Sequence, residues 1–365
     1  MKTGLDPIEA LEGETTDDGW VVGKRVVRGS AATGGTFSVC YEAVSKTGKK
    51  AFFKAIDFRA AYSSTDPMGQ LHILTSAFSF ERDVVKLTTG KRMSRVVVAI
   101  CDGFLKIKGA PFNGIFYLIF ELAEGDIRVQ TDRKKRANVA WSMNIMHHIA
   151  VGLSQLHSVG ICHQDVKPSN ILVFNNSELA KLADLGRAHC STIDAPHDGL
   201  TIPGAIPYAP PEQLYGDSQG SRLAARRAAD LYLLGSMLYF LVVGTSLTSK
   251  TISLLKDEHR PWLNSTNPLG WRGFYHDVLV YYRHAHFQAL NVFENELLSQ
   301  ISSSPKFIKV PEIIELLKYL VEPDPALRGH PHNLSPTHVD NYGLERFISK
   351  FEYFSKALKR HHHAI

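Results

Sequence analysis

The sequence predicts an α+β fold in which strand-forming segments come first and helical segments follow. Up to about residue 121, short runs rich in β-branched and aromatic residues alternate with glycine-rich and polar turns. Beyond that point, longer stretches carry apolar residues at helical spacing. A polar segment, His163–Leu172, stands between two apolar runs, and catalytic groups commonly lie on loops of this kind.

The composition is that of an ordinary soluble globular protein. The chain has 365 residues, of which 44% are hydrophobic and 21% are charged, and its formal net charge is +5. This mild charge gives no reason to expect a nucleic-acid or membrane partner. The four cysteines lack metal-like or redox spacing and are interpreted as reduced thiols. Because no apolar run resembles a signal peptide, we expect a cytoplasmic location, and the oligomeric state stays open.

The first elements along the chain are a tail, a strand and a hairpin. Residues 1–19 are polar, acidic and contain glycine, so we expect a flexible N-terminal tail. Residues 20–27 predict a strand, and the small residues that follow predict a hairpin that runs to Ala43. Residues 51–56 predict the next strand, in which Lys54 is costly to bury unless a carboxylate pairs with it.

A helix and two further strands complete the first part of the chain. Residues 71–87 have the apolar spacing of a helix, and Glu81 lies within it. Residues 57–70 predict an inserted loop before this helix, because they contain turn-forming residues. Residues 96–102 and 114–120 predict the strands.

The polar segment His163–Leu172 combines residue types that suit phosphoryl transfer. It carries a carboxylate, a cation and an amide at Asp165, Lys167 and Asn170, and a second carboxylate follows in Asp184-Leu-Gly186. One carboxylate can accept a hydroxyl proton, and the lysine can neutralise charge on a migrating phosphoryl group. The amide oxygen and the second carboxylate are hard oxygen ligands of the kind that Mg²⁺ prefers.

These residues resemble motifs of a known family. HQDVKPSNIL, residues 163–172, resembles the catalytic loop of eukaryotic-type (Hanks-type) protein kinases, and DLG at residues 184–186 resembles their D-F-G. Lys167 is similar to the serine/threonine branch of that family. The resemblance implies a two-lobed protein kinase fold, with a small antiparallel β N-lobe that contains a C-helix and a larger, mainly helical C-lobe.

The same resemblance implies cofactors, a substrate and catalytic roles. ATP and Mg²⁺ would be the cofactors, and the partner would be a protein substrate with a serine or threonine acceptor. Asp165 would orient the acceptor hydroxyl and accept its proton, while Lys167 would face the γ-phosphate. Asn170 and Asp184 would hold Mg²⁺.

Residues of the N-lobe would bind the nucleotide phosphates. Lys54 matches the lysine that grips the α- and β-phosphates, and Glu81 matches its ion-pair partner on the C-helix. The glycine-rich loop is thinned, since Thr33, Gly35 and Ser38 occupy its three glycine positions in the best register. A shifted register keeps Gly34 instead.

The resemblance implies that four residues form an adenine site, and a fifth residue departs from the family pattern there. Cys40 and Leu172 would enclose the base, and the backbone C=O of Glu121 and N–H of Ala123 would meet its edge. Phe52 replaces the small alanine that the family usually has two residues before the lysine. A phenyl ring at that place could crowd the adenine pocket.

The second part of the chain continues the resemblance. Residues 141–159 predict a helix, and residues 171–174 and 180–183 predict short strands. Residues 184–212 resemble an activation segment, in which Ala205 replaces the usual threonine.

Two structural contacts are also implied by the family. Asp230 matches the F-helix aspartate that holds the catalytic-loop backbone. Arg328 matches the late arginine that pairs with the glutamate of A-P-E, which is Glu212 in this chain.

We divide the chain into a tail at 1–19, an N-lobe at 20–121, a C-lobe at 122–330 and a helical extension at 331–365. An amphipathic helix at 342–359 is expected to pack on the lower lobe. The apolar segment 231–243 is short for a membrane span and is interpreted as a buried helix.

The resulting hypothesis is a protein serine/threonine kinase. Gln164 replaces the arginine that usually reads a phosphate on the activation segment, so we expect activity without phosphorylation of Ser191, Thr192 or Thr201.

The alternative is a pseudokinase or nucleotide-binding scaffold, which Phe52, the thinned glycine loop and Ala205 favour. A small-molecule phosphotransferase shares the loop chemistry, but Glu212 and Arg328 point to a peptide-substrate platform instead.

Overall fold

A five-stranded antiparallel sheet forms the N-terminal part of the fold. Its strands are β1 (Val21–Arg25), β2 (Ser38–Val44), β3 (Lys50–Ile56), β4 (Ala99–Lys106) and β5 (Gly114–Glu121), in the order β1-β2-β3-β5-β4. The computed structural model describes residues 7–26, 38–107, 114–128, 138–217, 223–262, 267–301, 310–334 and 341–362.

The segment before β1 packs against the outer face of this sheet. Ile8 and Leu11 are buried in one cluster with Tyr41 and Phe53 of the sheet. The Tyr41 hydroxyl donates a hydrogen bond to the Ile8 carbonyl at 2.6 Å. The prediction of a flexible tail is therefore wrong for residues 7–19, because two buried apolar side chains anchor the segment; residues 1–6 lie outside the described part.

The insertion after β3 is partly helical. Helix α1 (Arg59–Tyr62) lies within it, and helix α2 (Pro67–Gly90) begins four residues before the predicted start. Asp66 caps α2 by accepting a hydrogen bond from the Gly69 amide at 3.0 Å, and Pro67 takes the first helical position. The loop prediction is wrong here because Asp-Pro starts a helix as readily as it breaks one.

The C-terminal part is mainly helical, as predicted. Helix α5 runs through its centre and is buried over most of its length, which confirms the buried helix expected at 231–243. Its helices are α3 (Val139–His157), α4 (Pro211–Leu214), α5 (Leu223–Val243), α6 (Leu247–Leu254), α7 (Tyr275–Ile301), α8 (Val310–Leu320) and α9 (Glu345–His362).

The described helices differ from a membrane-spanning helix in length or in composition. None of them is long and apolar enough singly, whereas α5 and α6 reach the criterion as a pair bent by 81°, by length and composition only.

Helix α9 packs along α3, as predicted for the C-terminal amphipathic helix. Phe347, Phe351 and Phe354 are buried in the main core. The Ser355 hydroxyl donates a hydrogen bond to the Ala140 carbonyl at 3.2 Å. The last segment thus stabilises the helix that leads to the catalytic loop.

Short strands hold the polar loop on both sides. Strand β8 pairs with both β6 and β9, and β7 pairs with β10, so the loop runs from one small sheet to the other. The bounds are β6 (Gly125–Asp126), β7 (Ile161–Cys162), β8 (Ile171–Phe174), β9 (Leu179–Leu182) and β10 (His189–Cys190).

Candidate active site

The start of the polar loop is fixed by a buried carboxylate. Asp230 on α5 accepts hydrogen bonds from the backbone amides of His163 and Gln164, each at 2.8 Å. Burial alone would raise the pKa of Asp230, but hydrogen bonds from His157 and from the Gln164 backbone outweigh burial and lower it. An ionised Asp230 can therefore hold the loop, in which Gln164 adopts a left-handed φ of 63°.

Asp165, Lys167 and Asn170 converge as the loop motif predicts. The Lys167 ammonium lies 2.7 Å from Asp165 Oδ2, and the Asn170 amide nitrogen donates to the same oxygen at 3.0 Å. The other carboxylate oxygen accepts the backbone N–H of Ala205 at 2.9 Å. Since all three loop side chains are buried, these contacts fix their rotamers.

The arrangement of Asn170 and Asp184 fits a hard cation. Both hydrogen bonds of the Asn170 amide nitrogen go to Asp165, and its Oδ1 accepts one from the Ser169 hydroxyl at 3.3 Å. The backbone N–H of Ala183 donates to the Asn170 carbonyl at 2.9 Å, which ties the loop to the residue before Asp184. Asp184 itself has φ 61° and a side chain that is 37% exposed, so its oxygens are accessible. An amide oxygen and an accessible carboxylate form a donor set suited to Mg²⁺.

The predicted ion pair between Lys54 and Glu81 is present. Lys54 Nζ lies 2.6 Å and 2.8 Å from the two oxygens of Glu81, and 3.5 Å from Asp184 Oδ1. Burial disfavours the charged ammonium, but the Glu81 and Asp184 carboxylates outweigh burial and raise the pKa of Lys54. The lysine is thus a fixed cation that joins β3, α2 and the start of the activation segment.

The same face of the sheet carries the positions assigned to adenine. Cys40 on β2 stands opposite Lys54, and Phe52 on β3 stands opposite Phe120 on β5. Because side chains alternate along a strand, Phe52 shares the face of Lys54. Gly34 and Gly35 of the glycine-rich loop lie outside the described residues.

The segment assigned to the edge of the adenine base, residues 121–123, is held against the small sheet of β6, β8 and β9. The Glu121 carboxylate accepts hydrogen bonds from Lys181 Nζ at 2.7 Å and from the Val98 amide at 2.8 Å. Beyond Ala123, the Glu124 amide donates to the Val173 carbonyl at 2.9 Å. Leu172 pairs with Lys181 in the strand register, so the residue assigned to one face of the base is linked through Lys181 to Glu121 at its edge.

The predicted contact between Glu212 and Arg328 is also present. It is bidentate, with nitrogen–oxygen distances of 2.7 and 2.8 Å, and the arginine is fully buried. The guanidinium further donates to the carbonyls of Glu322, Pro323 and Ala228. This pair connects the end of the activation segment to α5 and to the turn after α8.

Sequence reasoning missed a close approach beside Asp165. A Cβ atom on Gly204 would lie 2.3 Å from the Gln164 carbonyl oxygen and 3.0 Å from Asp165 Oδ1. The segment can reach Asp165 only because this residue is glycine, and the next backbone N–H, that of Ala205, then makes the hydrogen bond. The sequence offered one indication of this approach. Gly204 directly precedes Ala205, the position at which the family usually has a threonine.

Comparison with known proteins assigns the family. The family model described as "Protein kinase domain" matches residues 33–335, which is most of the chain. The chain therefore belongs to the protein kinase family.

Individual relatives are similar over shorter stretches. The chain is 38% identical over 108 residues to the serine/threonine-protein kinase/endoribonuclease IRE1b of Arabidopsis thaliana, which is 28% of this chain and 12% of that protein. It is 34% identical over 130 residues to the Aurora/IPL1-related protein kinase 2 of Caenorhabditis briggsae, which is 35% of this chain and 39% of that protein. It is 33% identical over 137 residues to the serine/threonine-protein kinase PkaB of Streptomyces coelicolor, which is 35% of this chain and 31% of that protein. The match thus spans less than half of each relative.

Proposed function

We propose that this protein transfers the γ-phosphoryl group of ATP to a serine or threonine hydroxyl of a protein substrate. The observation that carries the proposal is the convergence of Asp165, Lys167 and Asn170 on one side and Lys54, Glu81 and Asp184 on the other. These groups come from separate parts of the chain and are held by hydrogen bonds and ion pairs. The names of the relatives, each a serine/threonine or Aurora-type kinase, support the same class.

The residues act in the following way. The acceptor oxygen attacks the γ-phosphorus, the bond to the ADP oxygen breaks, and the hydroxyl proton passes to the Asp165 carboxylate. Lys167, which lies 2.7 Å from that carboxylate, neutralises charge on the phosphoryl group. Lys54, held by Glu81, binds the α- and β-phosphates. Asn170 and Asp184 would hold Mg²⁺, which, when bound, neutralises negative charge on the phosphates.

We also propose that transfer does not require phosphorylation of the activation segment. The side chain of Gln164 is uncharged, and its amide nitrogen donates hydrogen bonds to the Arg226 carbonyl and to the Asp230 carboxylate. It therefore has no role in binding a phosphate. Ser191, Thr192 and Thr201 are exposed. A variant with alanine at all three positions should keep its turnover and its melting temperature. Loss of turnover in this folded variant would contradict the proposal.

A pseudokinase is the second candidate, and the pair Phe52–Phe120 favours it. Two phenylalanines that face each other across β3 and β5 leave less room for a purine than the usual small residue. A thermal-shift titration separates both of these candidates from a fold with a closed pocket, because Mg·ATP at 100 times its Kd should stabilise a binding-competent fold by about 2.7 kcal/mol. No shift would favour a closed pocket.

The decisive experiment uses γ-labelled ATP with Mg²⁺ and a mixture of protein substrates. Wild type is compared with Asp184→Asn, and the labelled residues are mapped. Label on serine or threonine with wild type and its loss in the variant would support the proposed reaction. Equal labelling with both proteins would reject Asp184 as a magnesium ligand.

A further inference from the structure

Asp198 lies in the middle of the activation segment. Its carboxylate contacts a histidine, His189, and an arginine, Arg226. Its carboxylate lies 3.0 Å from His189 Nδ1 and 3.3 Å from the Arg226 guanidinium. The same guanidinium nitrogen donates to the Asp198 backbone carbonyl at 2.8 Å. Arg226 therefore holds both the side chain and the backbone of this segment residue.

Arg226 connects Asp198 to the catalytic loop. It lies near the start of α5, is 4% exposed, and its second nitrogen donates to Gln164 Oε1 at 3.4 Å. The Gln164 side-chain nitrogen donates to the Arg226 carbonyl at 2.8 Å. Because Gln164 directly precedes Asp165, the contact chain from Asp198 ends beside the catalytic carboxylate.

His189 provides the second connection. It lies on β10, where it pairs in register with Cys162 of β7, the residue before the catalytic loop. The Asp198 carboxylate thus joins β10 to α5, the two elements that enclose the loop.

Asp198 balances the positive charge of the buried Arg226. Among the residues that the structure describes, Asp198 is the acid that forms an ion pair with Arg226, and the arginine Nε is buried without a hydrogen-bond partner. A buried cation that loses its carboxylate has a large free-energy cost, so the segment is held where the carboxylate can reach it.

We propose that Asp198 is a positioning residue that fixes the activation segment through Arg226 and His189, in the place of a phosphate added after synthesis. The inference rests on the proposed kinase activity and adds to it the device that makes phosphorylation unnecessary. Aspartate supplies a permanent negative charge, and α5 supplies the arginine that the catalytic loop lacks at Gln164. The segment is then ordered as soon as the protein folds.

The test compares Asp198→Asn with the matched control Asp194→Asn, an exposed aspartate of the same segment. Turnover is measured at saturating ATP, and amide hydrogen exchange is followed in residues 195–205. We expect Asp198→Asn to lower kcat about tenfold, the scale of a typical coupling between sites, with little change in the KM for ATP and with faster exchange. Asp194→Asn should match wild type in both measurements.

Two further variants decide whether the charge is responsible. Asp198→Glu keeps the carboxylate and should retain most of the turnover, whereas Arg226→Gln should reproduce the defect of Asp198→Asn. The double variant Asp198→Asn/Arg226→Gln should be no slower than either single variant, because both remove the same contact.

The inference is overturned if Asp198→Asn behaves as Asp194→Asn does, or if Asp198→Glu is as impaired as Asp198→Asn. Failure of the proposed function is distinguishable, because a wild-type protein without transferase activity would still show the difference in hydrogen exchange. Equal exchange in the two asparagine variants would reject the positioning role whether or not the protein is active.

Discussion

Asp165 is surrounded by hydrogen-bond donors that fix its orientation. Lys167 and Asn170 contact one of its oxygens, and the Ala205 amide contacts the other. A carboxylate held in this way can receive a proton from a substrate hydroxyl without first reorganising its own contacts.

Replacing this carboxylate should remove the base and leave nucleotide binding intact. For Asp165→Asn we expect kcat to fall by roughly 10²- to 10⁴-fold, the usual contribution of a general base. The amide oxygen of asparagine can still accept one of the three hydrogen bonds that Asp165 accepts, and the melting temperature of the variant shows whether the fold is preserved. Turnover is measured with labelled ATP, and an unchanged Kd for Mg·ATP is the internal control. Full turnover in this variant would show that proton transfer to Asp165 is not needed.

Gly204 offers a sharper test of how close the activation segment must come to the loop. In Gly204→Ala the new methyl group meets the Gln164 carbonyl oxygen at 2.3 Å, so one of the two backbones must move. We expect kcat to fall by about tenfold to a hundredfold, as misplaced catalytic groups usually cause. Gly199→Ala is the matched control, since nothing lies within 4 Å of its added Cβ. Equal turnover of the two alanine variants would contradict the close approach.

At the scale of elements, the pair Glu212–Arg328 joins the activation segment to the helical core. Helix α4 carries the glutamate, and the arginine follows α8 and contacts the carbonyls of Ala228 on α5 and of Pro323. Burial opposes the charge of the guanidinium, yet Glu212 outweighs burial and raises the pKa of Arg328. Removing either partner therefore leaves an uncompensated charge in the interior.

We expect Arg328→Met to lower the free energy of unfolding by about 3 to 5 kcal/mol, the cost of breaking a buried pair. Lys350→Met is the comparison, since Lys350 forms an exposed pair with Glu312 and should cost about 0 to 1 kcal/mol. Both are measured by urea denaturation. The double variant Glu212→Met/Arg328→Met should lose less than the sum of the single losses. A change in Arg328→Met as small as that in Lys350→Met would refute the role of this pair.

At the scale of the whole molecule, the sequence was most informative where polar residues are spaced along one chain segment. The loop Asp165–Asn170 and the family resemblance together located the ion pairs of Lys54 and Arg328, although their partners are distant in sequence. The packed residues 7–19 were missed because their apolar contacts are made only in the folded sheet, and the helical insertion was missed because Asp66-Pro67 starts a helix where a turn was expected.

The contacts of Asp198 and Gly204 were missed for a related reason. Both depend on how the activation segment folds back on the catalytic loop, and neither residue type is unusual in a loop. The spacing of residues along the chain does not show where two backbone segments come close together. A motif of side chains, by contrast, shows which residues share a site.

Two buried histidines should make the stability of the whole fold depend on pH. Burial, with smaller effects of nearby cations, lowers the pKa of His148 and of His286 to about 3. His148 Nδ1 also accepts the Ala180 N–H at 3.2 Å, which requires the neutral ring. Because the unfolded chain has the ordinary histidine pKa of about 6.5, it binds more protons than the folded state between about pH 6.5 and about pH 3. The contribution of each neutral histidine to the free energy of unfolding should therefore be fully present above about pH 6.5. Below that pH the free energy of unfolding should fall by about 1.4 kcal/mol per pH unit for each histidine.

His286→Phe isolates one of these two contributions. The variant keeps a ring of similar shape beside Tyr282, with which His286 stacks at a centroid distance of 6.0 Å, but it cannot take up a proton. Urea denaturation between about pH 6.5 and about pH 4 should give a slope that is shallower than wild type by about 1.4 kcal/mol per pH unit. His284→Phe, at an exposed position on the same helix, should keep the wild-type slope because its histidine remains solvated in both states. If His286→Phe retained the full slope, protonation of His286 would not be what destabilises the fold in acid, and the loss would have to come from His148 and from the carboxylates.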